Sequence, residues 1–475
     1  MKKYFVFAAM ALATFMNYSC SDVDNPGSPT TDVYYLDGKE YLANVVGTFQ
    51  GEVGAEVSLT LGVYDPFDIF AVDFGDGKLV VDTVCYQNGG LKDESGMTVE
   101  WRKSATVFKG TVAGKGIVTV YGNSDLWYMV LTGGIAPTSF DQPRFMKLNQ
   151  FSISGANMEK VELPAFEELT QFSFNNSPVK SIDVSKAKNL TSLTIINTTS
   201  APTYEPSLES IDISKNTKLE TIIIGGEYYK KGVLKSLDIS KNTALKNVAV
   251  GNNDITSITL AETYPQLTSF NASMNKLTSF DISKIAAVKT LYMASNQLTT
   301  IGDATKCTAL TWFDVKDNKL EGDMDISNLE KLTNVYVNNN QLTSIKVKNV
   351  TKQFYFDNNK MTIATMPALP AGMNTTSKKK QFHYAPQADM EVTPAGAVVD
   401  LSAQAKAKGM EAEEVATTFT VKVGDATLVA DTDYTIADGK ITFLKSQNGV
   451  VVEMTTTAFP NLTLKTKAFD VTVAE

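Results

Sequence analysis

The sequence contains little of the chemistry on which most enzymes and metal proteins depend. Its 475 residues include one histidine, His383, and three cysteines. A Ser-His-Asp triad or a histidine-based zinc site would have to use His383, which lies beside a Lys-rich segment without an acidic neighbour. CxxC pairs and phosphate-binding loops of the GxxxxGK[ST] type are also absent. We therefore predict that the chain is not an enzyme and uses no cofactor or metal.

Basic residues are fewer than acidic residues. There are 43 Lys and Arg residues against 52 Asp and Glu residues, which gives a net charge of −9 and a pI of about 5.0. Nucleic-acid partners and anionic membrane surfaces are recognised by clustered positive charge. The composition therefore predicts no nucleic-acid partner.

The first 20 residues have the pattern of an export signal. Lys2 and Lys3 precede an apolar stretch from Tyr4 to Phe15, which is too short to span a bilayer, and Ser19 precedes Cys20. This arrangement, with acidic residues just after the cysteine, resembles the signal of Bacteroidota surface lipoproteins. The resemblance implies a signal peptide at 1–19, lipidation of Cys20, and an outer-membrane, lipid-anchored chain exposed at the cell surface. Residues 20–32, rich in Asp, Pro, Gly and Ser, are predicted to form a tether.

A motif of the form LxxLxLxxNxL recurs through the middle of the chain. It begins most clearly at Leu267, Val288, Leu310 and Leu332. The full set of repeat starts is Leu126, Leu148, Leu169, Leu190, Leu219, Leu245, Leu267, Val288, Leu310, Leu332 and Thr351. A recurring period of about this length is typical of a solenoid, whose extended surface favours binding over catalysis.

These repeats resemble the short leucine-rich repeats of bacterial surface proteins of the internalin type. The third and fifth positions after each start lie on one face of a strand, as Leu291 and Met293 do, and are predicted to point into the coil. We predict a mostly β fold in which a leucine-rich repeat solenoid, residues 126–366, is flanked by an N-terminal β-sandwich-like domain and a C-terminal Ig-like β domain.

An asparagine stands at the eighth position after most repeat starts. The chain must bend after each strand, and a side-chain amide can both donate to and accept from the backbone groups left unpaired there. We predict a structural ladder of asparagines rather than a ligand site, formed by Asn253, Asn275, Asn296, Asn318, Asn340 and Asn359.

Short alternating runs rich in β-branched residues flank the repeats. Residues 33–125 are predicted to form a domain that covers the first turn, and Phe74–Gly77 (FGDG) resembles a motif of PKD-type modules. Asp73 and Asp76 fit turn chemistry better than a calcium site. Residues 367–390 are predicted to be a connector and 391–475 an Ig-like domain. Cys85 and Cys307 fall in different predicted domains and are expected to be buried free thiols.

The residues that alternate with the inward positions are candidates for ligand binding on the concave face. In the later turns they are Tyr292, Trp312, Asp314, Asn334, Tyr336 and Tyr355. Exposed Tyr and Trp are effective binding anchors, although cross-strand stacking alone could also explain them. Two insertions at nearly the same phase of adjacent turns supply a second candidate site, with Tyr204, Tyr228 and Tyr229. Variable solvent loops are the alternative there.

The leading prediction is a cell-surface binding protein that uses the concave face for adhesion or protein-protein recognition. The first alternative is capture of glycans, with the aromatic residues stacked on sugar rings. The second is a structural or assembly role in which these aromatics only pack. The predicted partners are therefore a protein or glycan ligand and, through the N-terminal lipid, the membrane.

Overall fold

The computed structural model describes residues 33–36, 39–42, 44–63, 67–85, 91–92, 98–99, 106–122, 125–140, 147–197, 205–225, 229–348, 350–368, 381–408 and 414–474. The predicted signal peptide and tether lie outside these residues. The chain divides into two compact units, Met1–Leu245 and Lys246–Glu475. This division falls within the predicted repeats rather than at a predicted domain boundary. Within the described residues no helix is long and apolar enough to cross a membrane.

The first unit begins with short, mainly antiparallel strands. They are β1 (Val33–Leu36), β2 (Lys39–Leu42), β3 (Val45–Gln50), β4 (Glu56–Val63), β5 (Phe67–Asp73), β6 (Leu79–Cys85), β7 (Leu91–Lys92), β8 (Thr98–Val99), β9 (Thr106–Thr111), β10 (Ile117–Tyr121), β11 (Leu126–Thr132) and β12 (Ala136–Phe140). One sheet has the order β12-β3-β10-β5-β6, and β6 also contacts β4 and β9. Asp73 ends β5, and its carboxylate accepts hydrogen bonds from the N–H groups of Gly75 and Gly77 in the following turn at 2.8 and 3.0 Å.

The repeats continue in the first unit as β13 (Gln150–Ser154), β14 (Lys160–Glu162), β15 (Gln171–Asn175), β16 (Ser181–Asp183), β17 (Ser192–Ile196), β18 (Thr221–Ile224) and β19 (Ser236–Asp238). β11, β13, β15, β17 and β18 pair in parallel and in register, and β4 adds antiparallel to the outer side of β11. Since β4 and β9 continue the sheet past β11, the apolar edge of the first repeats is covered by strands of the N-terminal domain.

The repeats of the second unit comprise β20 (Asn247–Ala249), β21 (Ser257–Thr259), β22 (Ser269–Asn271), β23 (Thr290–Tyr292), β24 (Trp312–Asp314), β25 (Glu321–Asp325), β26 (Asn334–Tyr336), β27 (Gln341–Lys346), β28 (Gln353–Tyr355) and β29 (Gln381–His383), with 3₁₀ helices at Ile282–Ile285 and Ala304–Lys306. The inward residues align from turn to turn, and Leu291, Phe313 and Val335 are fully buried. These stacked apolar side chains form the core of the coil. The predicted mostly β solenoid is confirmed.

A buried asparagine closes the bend after each of the parallel strands β20, β22, β23, β24, β26 and β28. Asn318 donates to the carbonyl of Val315 at 3.0 Å and to that of Met293, one turn earlier, at 3.0 Å. Its oxygen accepts from the N–H of Leu298 at 2.9 Å. The side chain thus satisfies backbone groups of two turns at once. Equivalent hydrogen bonds are made by Asn275, Asn296, Asn340 and Asn359.

The residue before each asparagine of this ladder has a left-handed backbone. The φ angle is 56° at Asn252, 58° at Met274 and 55° at Asp317, and Ser295, Asn339 and Asn358 behave in the same way. A non-glycine residue in this region is uncommon and costs free energy. The side-chain hydrogen bonds of the following asparagine offset that cost and hold the bend.

The return segments are built from short turns. In each Asp-Ile-Ser or Asp-Val-Ser segment the aspartate accepts from the serine N–H two residues on, as Asp325 does from Ser327 at 3.1 Å. Asn216 and Asn242 are completely buried. Asn216 donates to the carbonyls of Val184 and Ala187 at 2.9 and 2.8 Å, which ties one return segment to the next.

The segment predicted as a connector, residues 367–390, contains one more turn of the coil. Strand β29 pairs in register with β28, and Phe382 and Tyr384 are buried. Gln387 takes the ladder position: its amide donates to the carbonyls of Phe356 and Tyr384 at 3.0 and 2.7 Å. The connector prediction missed this turn because glutamine replaces asparagine and no leucine starts the repeat.

The remainder of the second unit is antiparallel β structure. Its strands are β30 (Val398–Asp400), β31 (Lys406–Lys408), β32 (Glu414–Val423), β33 (Ala426–Thr427), β34 (Tyr434–Ala437), β35 (Lys440–Phe443), β36 (Gln447–Thr456), β37 (Thr463–Lys465) and β38 (Phe469–Val471), with a 3₁₀ helix at Ser402–Gln404. Phe443 and Phe469 join its two sheets, with ring centroids 6.4 Å apart. The hydroxyl of Tyr384 accepts from the N–H of Asn461 at 3.1 Å, so this region packs on the last turn.

Candidate binding face

Five aromatic side chains form a continuous row on the outward face of the parallel sheet in the second unit. In-register pairing of β23, β24, β26, β28 and β29 aligns Tyr292, Asp314, Tyr336, Tyr355 and His383. Trp312 belongs to the neighbouring outward position, and its ring reaches those of Tyr292 and Tyr336. The aromatic row consists of Tyr292, Trp312, Tyr336, Tyr355 and His383. Successive ring centroids are 5.7, 5.3, 5.1 and 4.3 Å apart. These are contact distances for aromatic pairs, so the rings support one another.

Side-chain amides hold two of the tyrosines in place. The Tyr336 hydroxyl donates to the side-chain oxygen of Gln353, and the Asn334 amide donates to that same oxygen at 3.0 Å. The Tyr355 hydroxyl donates to the side-chain oxygen of Gln381 at 2.7 Å. These bonds fix the orientation of the rings before any ligand arrives, which lowers the entropy cost of binding.

The residues of this face differ in accessibility. Tyr292, Trp312 and Tyr355 are half-buried and His383 is exposed. Asp314, Asn334 and Tyr336 retain only 7, 4 and 8 % of their surface and lie beneath their neighbours. Of the six residues predicted for ligand binding, the structure therefore offers three aromatics for direct contact, and the other three support them.

His383 is a residue of this face that sequence reasoning missed. It was assigned to the connector, whereas the structure places it beside Tyr355 at the end of the aromatic row. The signal was present in the segment Gln381–Gln387, where Phe382, Tyr384 and Gln387 have the spacing of the repeat. Recognising it required accepting glutamine in the place of asparagine.

Three carboxylates lie beside the aromatic row, and we call them the acidic cluster: Asp314, Asp317 and Asp357. Burial raises the pKa of Asp314 to about 6, with Asp317 adding to the rise and Lys316 opposing it. Burial also raises the pKa of Asp357, again with a contribution from Asp317, while His383 opposes it. Because Asp317 raises both pKa values, the three carboxylates share one electrostatic environment.

Lys316 is the cation that lies among these groups. Its ammonium nitrogen is 3.8 Å from a carboxylate oxygen of Asp314 and 5.7 Å from the centroid of the Tyr336 ring. The second distance is within the range of a cation–π contact. The face thus combines aromatic rings, carboxylates and a position that an ammonium group already occupies.

The second candidate site, formed by the two insertions, lies largely outside the described residues. Tyr204 and Tyr228 are among the residues not described, and Tyr229 is half-buried. The flanks of the two insertions do meet, since the Lys230 ammonium lies 2.6 Å from a carboxylate oxygen of Glu205. This contact agrees with insertions placed side by side, and their role in binding stays a prediction.

The cysteines offer no reactive site within the described residues. Cys307 is buried, and its thiol donates to the carbonyl of Ile282 at 3.3 Å. Burial raises its pKa to about 11, which keeps it protonated and unreactive at neutral pH. Cys20 and the side chain of Cys85 lie outside the description. Among the residues described, no group of three or more His, Cys, Asp or Glu could hold a metal ion.

Comparisons with known proteins find similar solved structures at low sequence identity. No protein-family model and no curated protein matches the sequence. Among solved structures, the functional domain of InlJ from Listeria monocytogenes is 17% identical, covering 70% of this chain and 83% of that one with a TM-score of 0.32. The leucine-rich repeat protein LIC12759 of Leptospira interrogans is 15% identical, covering 51% and 68%, with a TM-score of 0.33.

A plant peptide hormone receptor, RGFR1, in complex with RGF2 is also similar. It is 16% identical over 46% of this chain, with a TM-score of 0.34, and the match spans 41% of the receptor chain. With TM-scores this low, no partner or activity of those proteins transfers to this chain. What the face can bind must therefore be judged from its own side chains.

Proposed function

We propose that this chain is a binding protein that recognises a protein ligand through the aromatic row. The observation that carries the proposal is the line of five rings in contact across adjacent turns, three half-buried and one exposed. Aromatic side chains provide large contact area at low entropy cost and dominate binding energy at protein interfaces. The hydrogen bonds of Gln353 and Gln381 add preorganisation.

Recognition of a glycan is the second candidate. The half-buried rings of Tyr292 and Trp312 and the neighbouring amides could stack on sugar rings and bond to their hydroxyls. A protein ligand is favoured because the acidic cluster and Lys316 give the face a charge pattern, and charge complementarity is a main source of specificity between proteins. A purely structural role for the row is the third candidate.

A catalytic role ranks behind binding. A histidine-dependent mechanism would rely on His383, and its ring packs against Tyr355 with centroids 4.3 Å apart. The raised pKa of Asp314 belongs to a carboxyl group that is 7 % exposed, with the ammonium of Lys316 3.8 Å from it. Burial accounts for this raised pKa, so the shift alone does not assign Asp314 a catalytic role.

We further propose that the binding unit is displayed at the cell surface through a lipid on Cys20. Support comes from the sequence alone: the charged start, the short apolar stretch and the cysteine followed by Ser21-Asp22. A lipid anchor would place the solenoid where it meets ligands outside the cell.

The test is capture of ligands by the chain from Ser21 onward, using host-cell extract, mucus and a glycan panel. Trp312→Ala and Tyr292→Ala should each lower capture of the protein ligand by about tenfold or more, because such anchors contribute ~1–2 kcal/mol or more each. Trp127→Ala is the matched control, since Trp127 is a half-buried tryptophan on β11 in the first unit.

The outcomes separate the three candidates. A captured protein that is lost with Trp312→Ala and retained with Trp127→Ala supports the proposal. A captured glycan with the same dependence supports the second candidate instead. Equal recovery by all variants contradicts a role for the aromatic row in binding.

A further inference from the structure

The acidic cluster and the aromatic row together present negative charge beside ring faces. Asp314, Asp317 and Asp357 supply three carboxylates, and the ammonium of Lys316 lies 3.8 Å from a carboxylate oxygen of Asp314. Aromatic rings beside carboxylates are suited to a cation, because the ring face carries negative electrostatic potential and the carboxylate carries charge. Because three carboxylates face one ammonium group, this part of the surface carries excess negative charge.

Lys316 shows where a cation sits on this face. Its ammonium lies 5.7 Å from the centre of the Tyr336 ring and 3.8 Å from Asp314. The side chain of Lys316 is 39% exposed, so it can move aside without disturbing the core. Asp357 follows Tyr355 by two residues, Tyr355 pairs with Tyr336 of the preceding turn, and His383 acts on the Asp357 carboxylate.

We propose, building on the proposed function, that the aromatic row and the acidic cluster bind a Lys or Arg side chain of the protein ligand, in competition with Lys316. The incoming cation would take the place of the Lys316 ammonium, 5.7 Å from the centroid of the Tyr336 ring and 3.8 Å from a carboxylate oxygen of Asp314, with the charge of Asp357 adding to the attraction. Arginine fits this place especially well, since its planar guanidinium stacks on rings and donates to two carboxylates at once.

The state of the carboxylates supports this inference. Burial raises the pKa of both Asp314 and Asp357, so each is held in surroundings that disfavour its charge. Such groups are common where a ligand later supplies the missing charge. A bound cation would favour the ionised carboxylates, and binding would therefore be coupled to release of protons near pH 6.

The test uses short Gly-Ser peptides that carry Arg, Lys, citrulline or Glu at the same positions, titrated into the full mature chain by calorimetry. Citrulline matches the shape of arginine and lacks its charge. Arg and Lys peptides should bind, with an affinity that falls as salt is raised, while citrulline and Glu peptides should not. Equal binding of Arg and citrulline peptides overturns the inference.

Two substitutions with opposite effects locate the site. Asp357→Asn should weaken binding of the Arg peptide by about five- to tenfold, whereas Lys316→Gln should strengthen it by a similar factor, because a competing cation is removed. Glu321→Gln and Lys331→Gln are the control variants, because they make the same charge changes at exposed positions on the return segments. They measure how much of the binding comes from the overall negative charge of the protein. Equal effects of site and control variants contradict a defined cation site.

The inference and the proposed function can fail separately. If a protein ligand is captured through Trp312 and is insensitive to Asp357→Asn and Lys316→Gln, the binding function stands and the cation site is wrong. If capture does not depend on Trp312 while Arg peptides bind with the expected dependence on Asp357, the proposed use of the aromatic row for a protein ligand is contradicted.

Discussion

The ring of Tyr355 packs against the imidazole of His383, with centroids 4.3 Å apart and ring planes at 63°. This pair joins the last recognisable repeat to a turn that the repeat motif does not describe. It extends the aromatic row to the end of the parallel sheet, where the C-terminal β structure packs on Tyr384. The candidate site and the end of the coil therefore depend on the same few residues.

Gln387 is predicted to stabilise that final turn. Gln387→Ala removes hydrogen bonds to the carbonyls of Phe356 and Tyr384 and to the N–H groups of Asn359 and Met361. Leaving these buried groups unpaired should lower the free energy of unfolding by about 2 kcal/mol. Urea unfolding and hydrogen exchange at Asn359 and Met361 measure the effect. Gln297→Ala, at an exposed position, should change neither quantity.

Each asparagine of the ladder is predicted to contribute strongly to stability. Asn318→Ala leaves the carbonyls of Met293 and Val315 and the N–H of Leu298 without their partner. The expected loss is about 2–4 kcal/mol, because several buried backbone groups become unsatisfied. Asn328→Ala is the control: Asn328 is exposed, and one hydrogen bond joins its amide to the carbonyl of Thr305. A loss at Asn318 no greater than at Asn328 would show that water replaces the ladder.

Asp314 is predicted to lower stability at neutral pH. Its pKa rises from 3.8 to about 6 on folding, so between these pH values the folded chain binds more protons than the unfolded chain. The contribution of Asp314 to stability therefore falls as pH rises from about 4 to about 6, and the penalty is complete above that range.

Asp314→Asn should consequently stabilise the chain at pH 7 by about 3 kcal/mol, with the gain vanishing near pH 4. Thermal unfolding across this pH range measures the difference. Asp323→Asn serves as the control, because hydroxyl groups of Ser344 and Thr343 lower the pKa of Asp323 and its removal should bring no gain at pH 7. A stabilisation by Asp314→Asn that does not change with pH would contradict this account.

Tyr336 and Tyr292 are predicted to behave differently when truncated. Tyr336 is 8 % exposed and contacts Trp312 and Tyr355, so Tyr336→Ala should cost about 3 kcal/mol or more through the cavity it leaves. Tyr292 is half-buried at the end of the row, and Tyr292→Ala should cost about 1 kcal/mol. Equal losses in urea unfolding would show that the row is uniformly packed. Binding experiments should therefore use Tyr292 and Trp312.

Lipidation of Cys20 remains a prediction of the sequence. Expression of the full chain in a bacterium with lipoprotein processing should incorporate a labelled fatty acid and place the chain in the membrane fraction. Cys20→Ala should abolish the label and release the protein. Labelling that persists in Cys20→Ala would place the lipid elsewhere, and a Cys307→Ala variant controls for the buried thiol.

Much of the fold follows from local pattern. The spacing of apolar residues in turns such as Val288 to Leu298 predicts the strand, its buried face and the asparagine that closes the bend. The turn that includes Gln381 to Gln387 escaped this reasoning, because Phe382, Tyr384 and Gln387 meet the same packing and hydrogen-bonding requirements with residue types that differ from the repeat motif. The second set of buried asparagines, Asn216 and Asn242, escaped it for a related reason: their partners lie in the neighbouring turn.

The mostly β solenoid follows from the amino-acid sequence alone, because each turn repeats the same local requirements for burial and backbone hydrogen bonding. The alternation of inward and outward side chains follows from it as well. The burial of Tyr336 and Asp314, the accessibility of Tyr292, Trp312 and Tyr355, and the place of His383 beside them emerge only in the folded chain. Burial on an outward face depends on neighbours one turn away, and those neighbours are set by the register of the sheet rather than by proximity along the chain.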